Sequence, residues 1–229
     1  MEKEIKKLLD AKIIIPLRYS DWIANLVPVG KKNGEIRLCV DFRNLNKCSR
    51  KDNYPLPKME HILQKVSGSS VMSFIDGFSG YNQIAVHPDD REKTAFTTPW
   101  GTFMYEKMPF GLINVGATFQ RAMDIAFVGE KDKFVLIYLD DIIVFSHSHE
   151  EHLQHLRKTF LKYRRYGISL NPKKSNFALK EGNLLGHIVS AEGVKIDPKR
   201  VEVIQILSLP GPRRTSNPSL GLLTSSGDL

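Results

Sequence analysis

The 229-residue sequence is poor in cysteine and contains no long apolar run. Two cysteines, Cys39 and Cys48, cannot build a disulfide framework, so we expect a reduced environment. No apolar stretch reaches the roughly 18 residues of a membrane-spanning helix. The first ten residues carry six charged side chains, which argues against a signal peptide. These absences predict an intracellular protein, cytoplasmic or nuclear, with no membrane partner.

Basic residues outnumber acidic ones, 33 to 25, which gives a net charge of +8 at neutral pH. A hydrophobic fraction of 41% is ordinary for a globular protein and excludes a wholly disordered chain. Residues 157–180 contain eight cations and no anion, enough to neutralise several phosphates. The same pattern is typical of a solvated helix face followed by a polar loop, so charge alone leaves both interpretations open.

Hydrophobic periodicity predicts strands and helices that do not alternate regularly. This order favours an α+β fold in which helices cover one face of a mainly antiparallel sheet. Twelve of residues 210–229 are Pro, Gly, Ser or Thr, which predicts a disordered tail. Strands are predicted at 23–29, 35–40, 71–76, 83–86, 103–108 and 184–189, an apolar hairpin at 134–145, and helices at the N-terminus, after Pro57, around 117–127 and from Ser148 to Gly167.

The helix after Ser148 is predicted to bury Leu153, Leu156 and Phe160, with Ser148 and Glu151 forming a capping box at its start. Its N-terminal part, residues 147–155, is rich in histidine. The spacing does not match the zinc motif HExxH, so we interpret these histidines as the polar face of the helix.

Two adjacent acids, Asp140 and Asp141, interrupt the apolar hairpin 134–145. Adjacent side chains of a regular strand point to opposite faces, but a tight turn could bring both to one rim. Neighbouring carboxylates repel each other, and no Lys or Arg lies within the hairpin to balance their negative charge. A divalent metal ion is therefore the natural candidate for the compensating positive charge. A surface hairpin with a solvated acidic turn is the alternative.

Asp76 supplies a third acid at the end of the predicted strand 71–76, with Gly77 beside it. Three carboxylates from two strand ends could hold two metal ions about 3.5–4 Å apart. Such a pair contacts the attacking and leaving oxygens of an in-line phosphoryl transfer.

Residues 138–141 (YLDD) resemble the YxDD box of reverse transcriptases. Further blocks in the same order extend the resemblance to about residues 1–205, and together they resemble the polymerase domain of gypsy-like LTR retrotransposon polyproteins, particularly those of plants. The blocks are 40–46 (VDFRNLN), 54–57 (YPLP), 75–84 (IDGFSGYNQI), 93–96 (KTAF), 108–112 (MPFGL), 117–121 (ATFQR) and 185–187 (LGH).

The resemblance implies the fingers and palm of a right-hand polymerase, with an antiparallel palm sheet and most of the thumb missing. Fingers are expected at 1–51 and 84–114, and palm at 52–83 and 115–190. The start of a thumb is expected at 191–209. The aberrant tail at 210–229 would then come from a frameshift or a splicing error.

The implied activity is RNA-directed DNA polymerisation, in which a primer 3′-hydroxyl attacks the α-phosphate of a deoxynucleoside triphosphate on an RNA or DNA template. Two Mg²⁺ ions, for which Mn²⁺ can substitute, are the implied cofactors. The alternative is a truncated, catalytically inactive remnant that only binds nucleic acid, and the oligomeric state stays open. The resemblance assigns metal binding and catalysis to Asp76, Asp140 and Asp141 with the carbonyl of Gly77, nucleotide binding to Lys31, Arg37, Phe110, Gly111 and the steric gate Tyr81, and primer–template contact to Leu185, Gly186, His187, Lys173 and Lys174.

Overall fold

A computed structural model describes residues 1–30, 36–77, 80–139 and 141–206. Within these ranges three β-sheets and seven α-helices alternate irregularly. None of these helices combines the length and the apolar character needed to cross a bilayer. In chain order the elements are α1 (Glu2–Asp10), β1 (Ile14–Pro16), β2 (Ala24–Gly30), β3 (Ile36–Val40), α2 (Arg43–Cys48), α3 (Met59–Val66), β4 (Val71–Asp76), α4 (Pro88–Arg91), β5 (Phe96–Thr98), β6 (Gly101–Tyr105), α5 (Val115–Ala126), β7 (Val135–Tyr138), β8 (Asp141–Ser146), α6 (His149–Tyr166), β9 (Asn176–Leu179), β10 (Glu181–Leu184), β11 (His187–Ser190), β12 (Gly193–Ile196) and α7 (Pro198–Ile206).

The large sheet has the strand order β1-β6-β5-β2-β3, and only the β2–β5 pair is parallel. Its core contains Ile14, Phe96 and Phe103, and α1 adds Ile5. The predicted strands 23–29 and 35–40 are confirmed as β2 and β3. The predicted turn between them, at Asn33-Gly34, lies outside the described residues.

The central sheet has the order β7-β8-β4-β9, with antiparallel pairs throughout. The predicted hairpin 134–145 is confirmed as β7 and β8. Alternate residues of β8 point to opposite faces, as the pleat requires. Ile142 packs against α5 and α6 on one face, while Ile143 packs against α3 and the small sheet on the other.

The small sheet has the order β10-β11-β12. The single strand predicted at 184–189 is wrong, because Leu185 (φ +53°) and Gly186 (φ +80°) form a two-residue turn between β10 and β11. Two consecutive residues with positive φ are typical of a type I′ hairpin turn.

The strand predicted at 83–86 is also wrong. Gly80–Gln83 forms a 3₁₀ helix, and Ala85 makes only an isolated bridge to Lys107. Tyr81 and Ile84 both pack between the cores of the large and central sheets. Their spacing of three residues suits a 3₁₀ turn, in which i and i+3 lie on one side.

Helix α6 begins at the predicted capping box. The Ser148 hydroxyl accepts a hydrogen bond from the Glu151 amide (3.2 Å), and the Glu151 carboxylate accepts one from the His147 amide (3.0 Å). The helix ends at Gly167, which adopts φ +65° as a left-handed C-cap.

The buried face of α6 differs from the prediction. Leu153 is 69% exposed, whereas His152 is almost fully buried, so the interpretation of the histidines as a polar face is wrong for His152. The ring of His152 makes hydrogen bonds at both nitrogens, to the Ser73 hydroxyl of β4 (2.7 Å) and the Ser146 hydroxyl of β8 (2.9 Å). Two serines from the central sheet thus provide hydrogen-bond partners for both nitrogens of a buried imidazole.

The buried His152 makes the stability of the fold dependent on pH. Burial lowers the pKa of His152, and the neighbouring His155 and His149 lower it further. The unfolded chain, with a histidine pKa near 6.5, takes up the proton first as the pH falls. We therefore expect the free energy of unfolding to fall between about pH 7 and pH 5, measured by urea denaturation.

The His152→Gln variant is expected to show a smaller fall over this pH range than the wild type. The exposed His149 provides a matched control, because His149→Gln should keep most of the fall. Equal falls in the wild type and His152→Gln would contradict this account of the buried imidazole.

Candidate active site

Two of the three predicted acids meet at one end of the central sheet. Asp76 ends β4 and Asp141 begins β8, and the two residues are direct partners in the antiparallel ladder. Side chains of directly paired residues have Cβ atoms about 4.5–5.5 Å apart. Asp140, the third predicted acid, lies outside the described residues.

The paired acids form a partly desolvated anionic site. Partial desolvation raises the pKa of Asp141, and the negative charge of Asp76 adds to the rise, while Lys174 opposes it. Asp141 nevertheless remains exposed to solvent. No third His, Cys, Asp or Glu of the described ranges completes a cluster with the pair. Opposed carboxylates of this kind suit a hard divalent cation, which takes oxygen ligands.

The loop after α6 holds the acid end of β4. The Asn171 amide donates to the Asp76 carbonyl (2.8 Å), and the Asp76 amide donates to the Ser175 hydroxyl (3.2 Å). Gly77 forms an isolated bridge with Leu170 in the same loop. The loop therefore fixes the backbone from which the first acid projects.

Of the two predicted lysines in this loop, Lys174 approaches the acids. Its ammonium lies 3.8 Å from the Asp76 carboxylate, and its side chain is largely exposed. Lys173 is exposed, and its amide donates to the Asn171 side chain (3.2 Å). In the remainder of the basic segment, Lys162 pairs with Glu130 (3.1 Å). The eight cations of residues 157–180 therefore do not form one uniform surface.

The turn before Asp141 is held by Gln120, a fully buried residue of α5 that the sequence did not single out as a site residue. Its side-chain oxygen accepts from the Leu139 amide (3.1 Å), and its side-chain nitrogen donates to the Ile137 carbonyl (3.2 Å). Leu139 adopts φ +53°, a left-handed conformation that is unusual for leucine. In the sequence Gln120 is marked by an amide within the apolar pattern of α5 and by its place in the block 117–121.

The predicted steric gate, Tyr81, lies in an aromatic cluster. Its ring packs edge to face against Phe110 (centroids 5.0 Å apart) and Phe119 (5.3 Å apart). Phe119 is fully buried, whereas Phe110 is about half exposed. The structure thus brings together Tyr81 and Phe110, two of the predicted nucleotide-binding residues, and it adds Phe119, which was not predicted as a site residue.

Asn46 of α2 fixes the loop that carries Phe110. Its side-chain nitrogen donates to the Gly111 carbonyl (2.7 Å), and its side-chain oxygen accepts from the Ile113 amide (2.8 Å). Gly111 adopts φ +98°, which a side chain would strain. Asn46, the last residue of the block 40–46, therefore holds the backbone of the block 108–112 in place.

The two predicted triphosphate contacts cannot be placed relative to this cluster. Lys31 lies outside the described residues. Arg37 belongs to β3, where its backbone pairs with Val29, but its side chain is outside the described part of the chain.

Of the predicted primer contacts, Leu185 and Gly186 form the turn of the β10–β11 hairpin, and His187 begins β11. The Gly186 amide donates to the Asn183 side chain (3.2 Å), and Arg200 donates to the Leu185 carbonyl (3.2 Å). The imidazole Nδ1 of His187 lies 3.3 Å from the same carbonyl. The small sheet is joined to the central sheet through an apolar core that includes Leu184.

Comparison with protein families gives a match over residues 29–189 to the family described as reverse transcriptase (RNA-dependent DNA polymerase). The chain is similar to three curated polyproteins, and it spans about a fifth of the length of the first of them. The retrovirus-related Pol polyprotein from transposon 297 of Drosophila melanogaster is 35% identical over 226 residues, which are 97% of this chain and 21% of the relative. The Pol polyprotein from transposon gypsy of the same organism is 34% identical over 211 residues, 90% of this chain and 20% of the relative. The enzymatic polyprotein of cauliflower mosaic virus (strain Strasbourg) is 37% identical over 189 residues, 81% of this chain and 28% of the relative.

Solved structures share the fold. The foamy viral protease-reverse transcriptase dRH in complex with double-stranded DNA matches with a TM-score of 0.84 and 24% identity, covering 91% of this chain and 36% of that one. The foamy viral protease-reverse transcriptase in complex with an RNA/DNA hybrid matches with a TM-score of 0.81 and 24% identity, covering 91% of this chain and 28% of that one. These matches confirm the predicted α+β fold. With the acids at the end of the central sheet and the matched family covering most of the chain, the chain belongs to the reverse transcriptase family and is a reverse transcriptase domain of the kind found in gypsy-like LTR retrotransposon polyproteins.

Proposed function

We propose that this chain catalyses RNA-directed DNA synthesis by transfer of a nucleotide to a primer 3′-hydroxyl. The observation that carries the proposal is the direct pairing of Asp76 with Asp141 at the end of the central sheet. An attack of the hydroxyl oxygen on the α-phosphorus breaks the bond to the β-phosphate and releases pyrophosphate. Carboxylates paired in this way meet the requirement of phosphoryl transfer for fixed metal ligands.

Asp76 and Asp141, together with Asp140 and the Gly77 carbonyl, would hold two Mg²⁺ ions, with Mn²⁺ able to substitute. Bound ions would supply positive charge to the phosphate and lower the pKa of the attacking hydroxyl. The raised pKa of Asp141 supports this assignment, because partial desolvation and the negative charge of Asp76 both disfavour the ionised carboxylate that a bound cation would stabilise. Lys174, 3.8 Å from Asp76 and largely exposed, provides weak compensation.

The nucleotide would lie near the aromatic cluster, between the acids and the loop that carries Phe110 and Gly111. Tyr81, which packs against Phe110 and Phe119, would exclude a ribose 2′-hydroxyl. Lys31 and Arg37 would bind the triphosphate. Deoxynucleoside triphosphates are the proposed substrates.

The primer and its RNA or DNA template would extend from the acids toward the small sheet. Leu185, Gly186 and His187 would contact the primer end, and Lys173 and Lys174 the phosphate backbone. The foamy viral structures with the same fold contain double-stranded DNA or an RNA/DNA hybrid. In this proposal residues 1–51 and 84–114 are fingers, 52–83 and 115–190 are palm, and 191–209 begin a thumb.

The Tyr81→Ala variant is expected to lose discrimination between deoxynucleotides and ribonucleotides. Removal of the ring removes the steric exclusion, and contacts of this size change selectivity by about 10–100-fold. The measurement is the ratio of single-nucleotide incorporation rates for a dNTP and the matching rNTP. Tyr19, which is 74% exposed, provides a control variant, Tyr19→Ala. An unchanged ratio in Tyr81→Ala would refute the steric role.

Primer extension on an RNA template with a DNA primer tests the proposed function directly. We expect template-dependent incorporation that requires Mg²⁺ or Mn²⁺ and disappears in Asp140→Asn. Salt-dependent binding of an RNA/DNA hybrid without incorporation would instead identify a catalytically inactive nucleic-acid-binding protein.

A further inference from the structure

Asp124 lies one helical turn after Gln120 on α5, and its carboxylate accepts hydrogen bonds from three donors. One oxygen accepts from the Gln120 side-chain nitrogen (3.0 Å). The other accepts from the Tyr54 hydroxyl (2.8 Å) and the Lys131 ammonium (2.6 Å). The side chain of Asp124 is only 15% exposed, so these contacts are largely protected from water.

The donors to Asp124 are themselves held in place. Arg121 lies over the ring of Tyr54 (4.6 Å to the centroid) and pairs with Asp52 (2.7 Å). Because the hydroxyl of Tyr54 donates to Asp124, the pKa of Tyr54 is raised, which keeps the proton on the tyrosine. The carboxylate therefore lies in a fixed set of donors from three segments of the chain.

Asp124 and the Ile137 carbonyl both accept from the Gln120 nitrogen, and together they decide which end of the Gln120 amide faces the Leu139 backbone. The nitrogen and oxygen of a glutamine amide have nearly the same size but opposite hydrogen-bonding roles. A carboxylate only accepts, so Asp124 requires the nitrogen of Gln120 on its side. The oxygen of Gln120 is then left to accept from the Leu139 amide, two residues before Asp141.

We propose that Asp124, held by Tyr54 and Lys131, is a positioning residue for the β7–β8 hairpin: it orients Gln120, whose side chain binds the Leu139 backbone two residues before Asp141. The inference rests on the proposed function, since it concerns the geometry of the same acids. Loss of the carboxylate leaves the Ile137 carbonyl as the remaining acceptor for the Gln120 nitrogen, so the amide is held less firmly toward Leu139. The turn at Leu139 then samples other conformations, and Asp141 is no longer held in the position that metal binding requires.

The first test is amide hydrogen exchange in the metal-free protein, which needs no catalysis. In Asp124→Asn we expect the Leu139 amide to exchange about tenfold faster than in the wild type, the effect of weakening one hydrogen bond. Asp132 provides a matched control, because it forms an ion pair with Lys65 (2.8 Å) and does not contact Gln120. The Asp132→Asn variant should leave exchange at Leu139 unchanged. Unchanged exchange in Asp124→Asn would overturn the inference.

The second test is the Mg²⁺ dependence of single-turnover primer extension. We expect Asp124→Asn to need about 10–100-fold more Mg²⁺ for half-maximal rate, as is typical when a residue supporting metal ligands is lost. Tyr54→Phe should show a smaller shift in the same direction, and hybrid binding should stay unchanged in both. A lower unfolding free energy with an unchanged Mg²⁺ midpoint would overturn the inference. Absence of extension in the wild type would refute the proposed function, and the exchange experiment would then decide the positioning role separately.

Discussion

Replacing Asp76 by asparagine is expected to lower the rate of nucleotide incorporation by at least about 10³-fold. The amide cannot supply the negative charge that a metal ligand provides, and metal stabilisation of transferring phosphate contributes several kcal/mol to the rate. Asparagine has the same shape as aspartate, and the backbone contacts of residue 76 to Asn171 and Ser175 stay available. Single-turnover primer extension measures the effect.

The fold of the Asp76→Asn variant should be at least as stable as that of the wild type without metal. The substitution removes the repulsion that contributes to the raised pKa of Asp141. Asp89, whose side chain is 86% exposed, provides a control acid, and Asp89→Asn should keep full activity. A working Asp76→Asn enzyme would remove this residue from the proposed metal site.

Replacing Gly182 by alanine is expected to lower the free energy of unfolding by about 1–3 kcal/mol, the usual cost of overpacking a core. Gly182 of β10 lies directly against the ring of Phe74, and an added Cβ would lie 2.5 Å from Cζ of that ring. Phe74 belongs to β4, the strand that ends in Asp76, and packs against the core shared with the small sheet. The new methyl group would therefore push the small sheet away from the acid-bearing strand.

Urea denaturation measures the free energy of unfolding of Gly182→Ala, with Gly30→Ala as the control variant. An added Cβ at Gly30 meets no atom within 4 Å and Gly30 lies in a regular strand, so Gly30→Ala should be close to neutral. Equal stability of the two variants would contradict the close packing of the small sheet on Phe74.

The sequence predicts the β7–β8 hairpin well because its signal is local. Residues 134–145 are almost entirely apolar on both sides of the acids, and strands buried on both faces have this composition. The pairing of Asp76 with Asp141 then follows from two strands that end at the same edge. The sequence alone did not settle this pairing, because register depends on partners far apart in the chain.

The features that the sequence missed depend on such remote partners. In the sequence His152 looks like a surface residue. In the fold, Ser73 of β4 and Ser146 of β8 form hydrogen bonds with both nitrogens of its ring, which allows it to be buried. Leu153, by contrast, is apolar but exposed, since helix orientation is set by what α6 packs against. Periodicity records which residues can share a face, but it does not record which face the sheet covers.

The resemblance to a family identifies blocks of residues, but within a block it does not distinguish residues that contact the site from residues that support its backbone. Asn46 and Gln120 lie in two of the matched blocks, and both bind backbone groups of other segments. Gly182 lies between blocks and is constrained only by its contact with Phe74. Hydrogen-bond partners in the folded chain, rather than sequence position, distinguish residues that contact the site from those that support it.

Binding of Mn²⁺, followed by electron paramagnetic resonance during titration, tests the central claim most directly, because it reports the metal ligands without requiring turnover. We predict that the wild-type protein with a primer–template and a dNTP binds Mn²⁺ at a site that is lost or weakened at least about tenfold in Asp76→Asn and in Asp141→Asn, and retained in Asp89→Asn. Equal Mn²⁺ binding in the wild type and in both acid variants would contradict the assignment of Asp76 and Asp141 as the metal-binding pair.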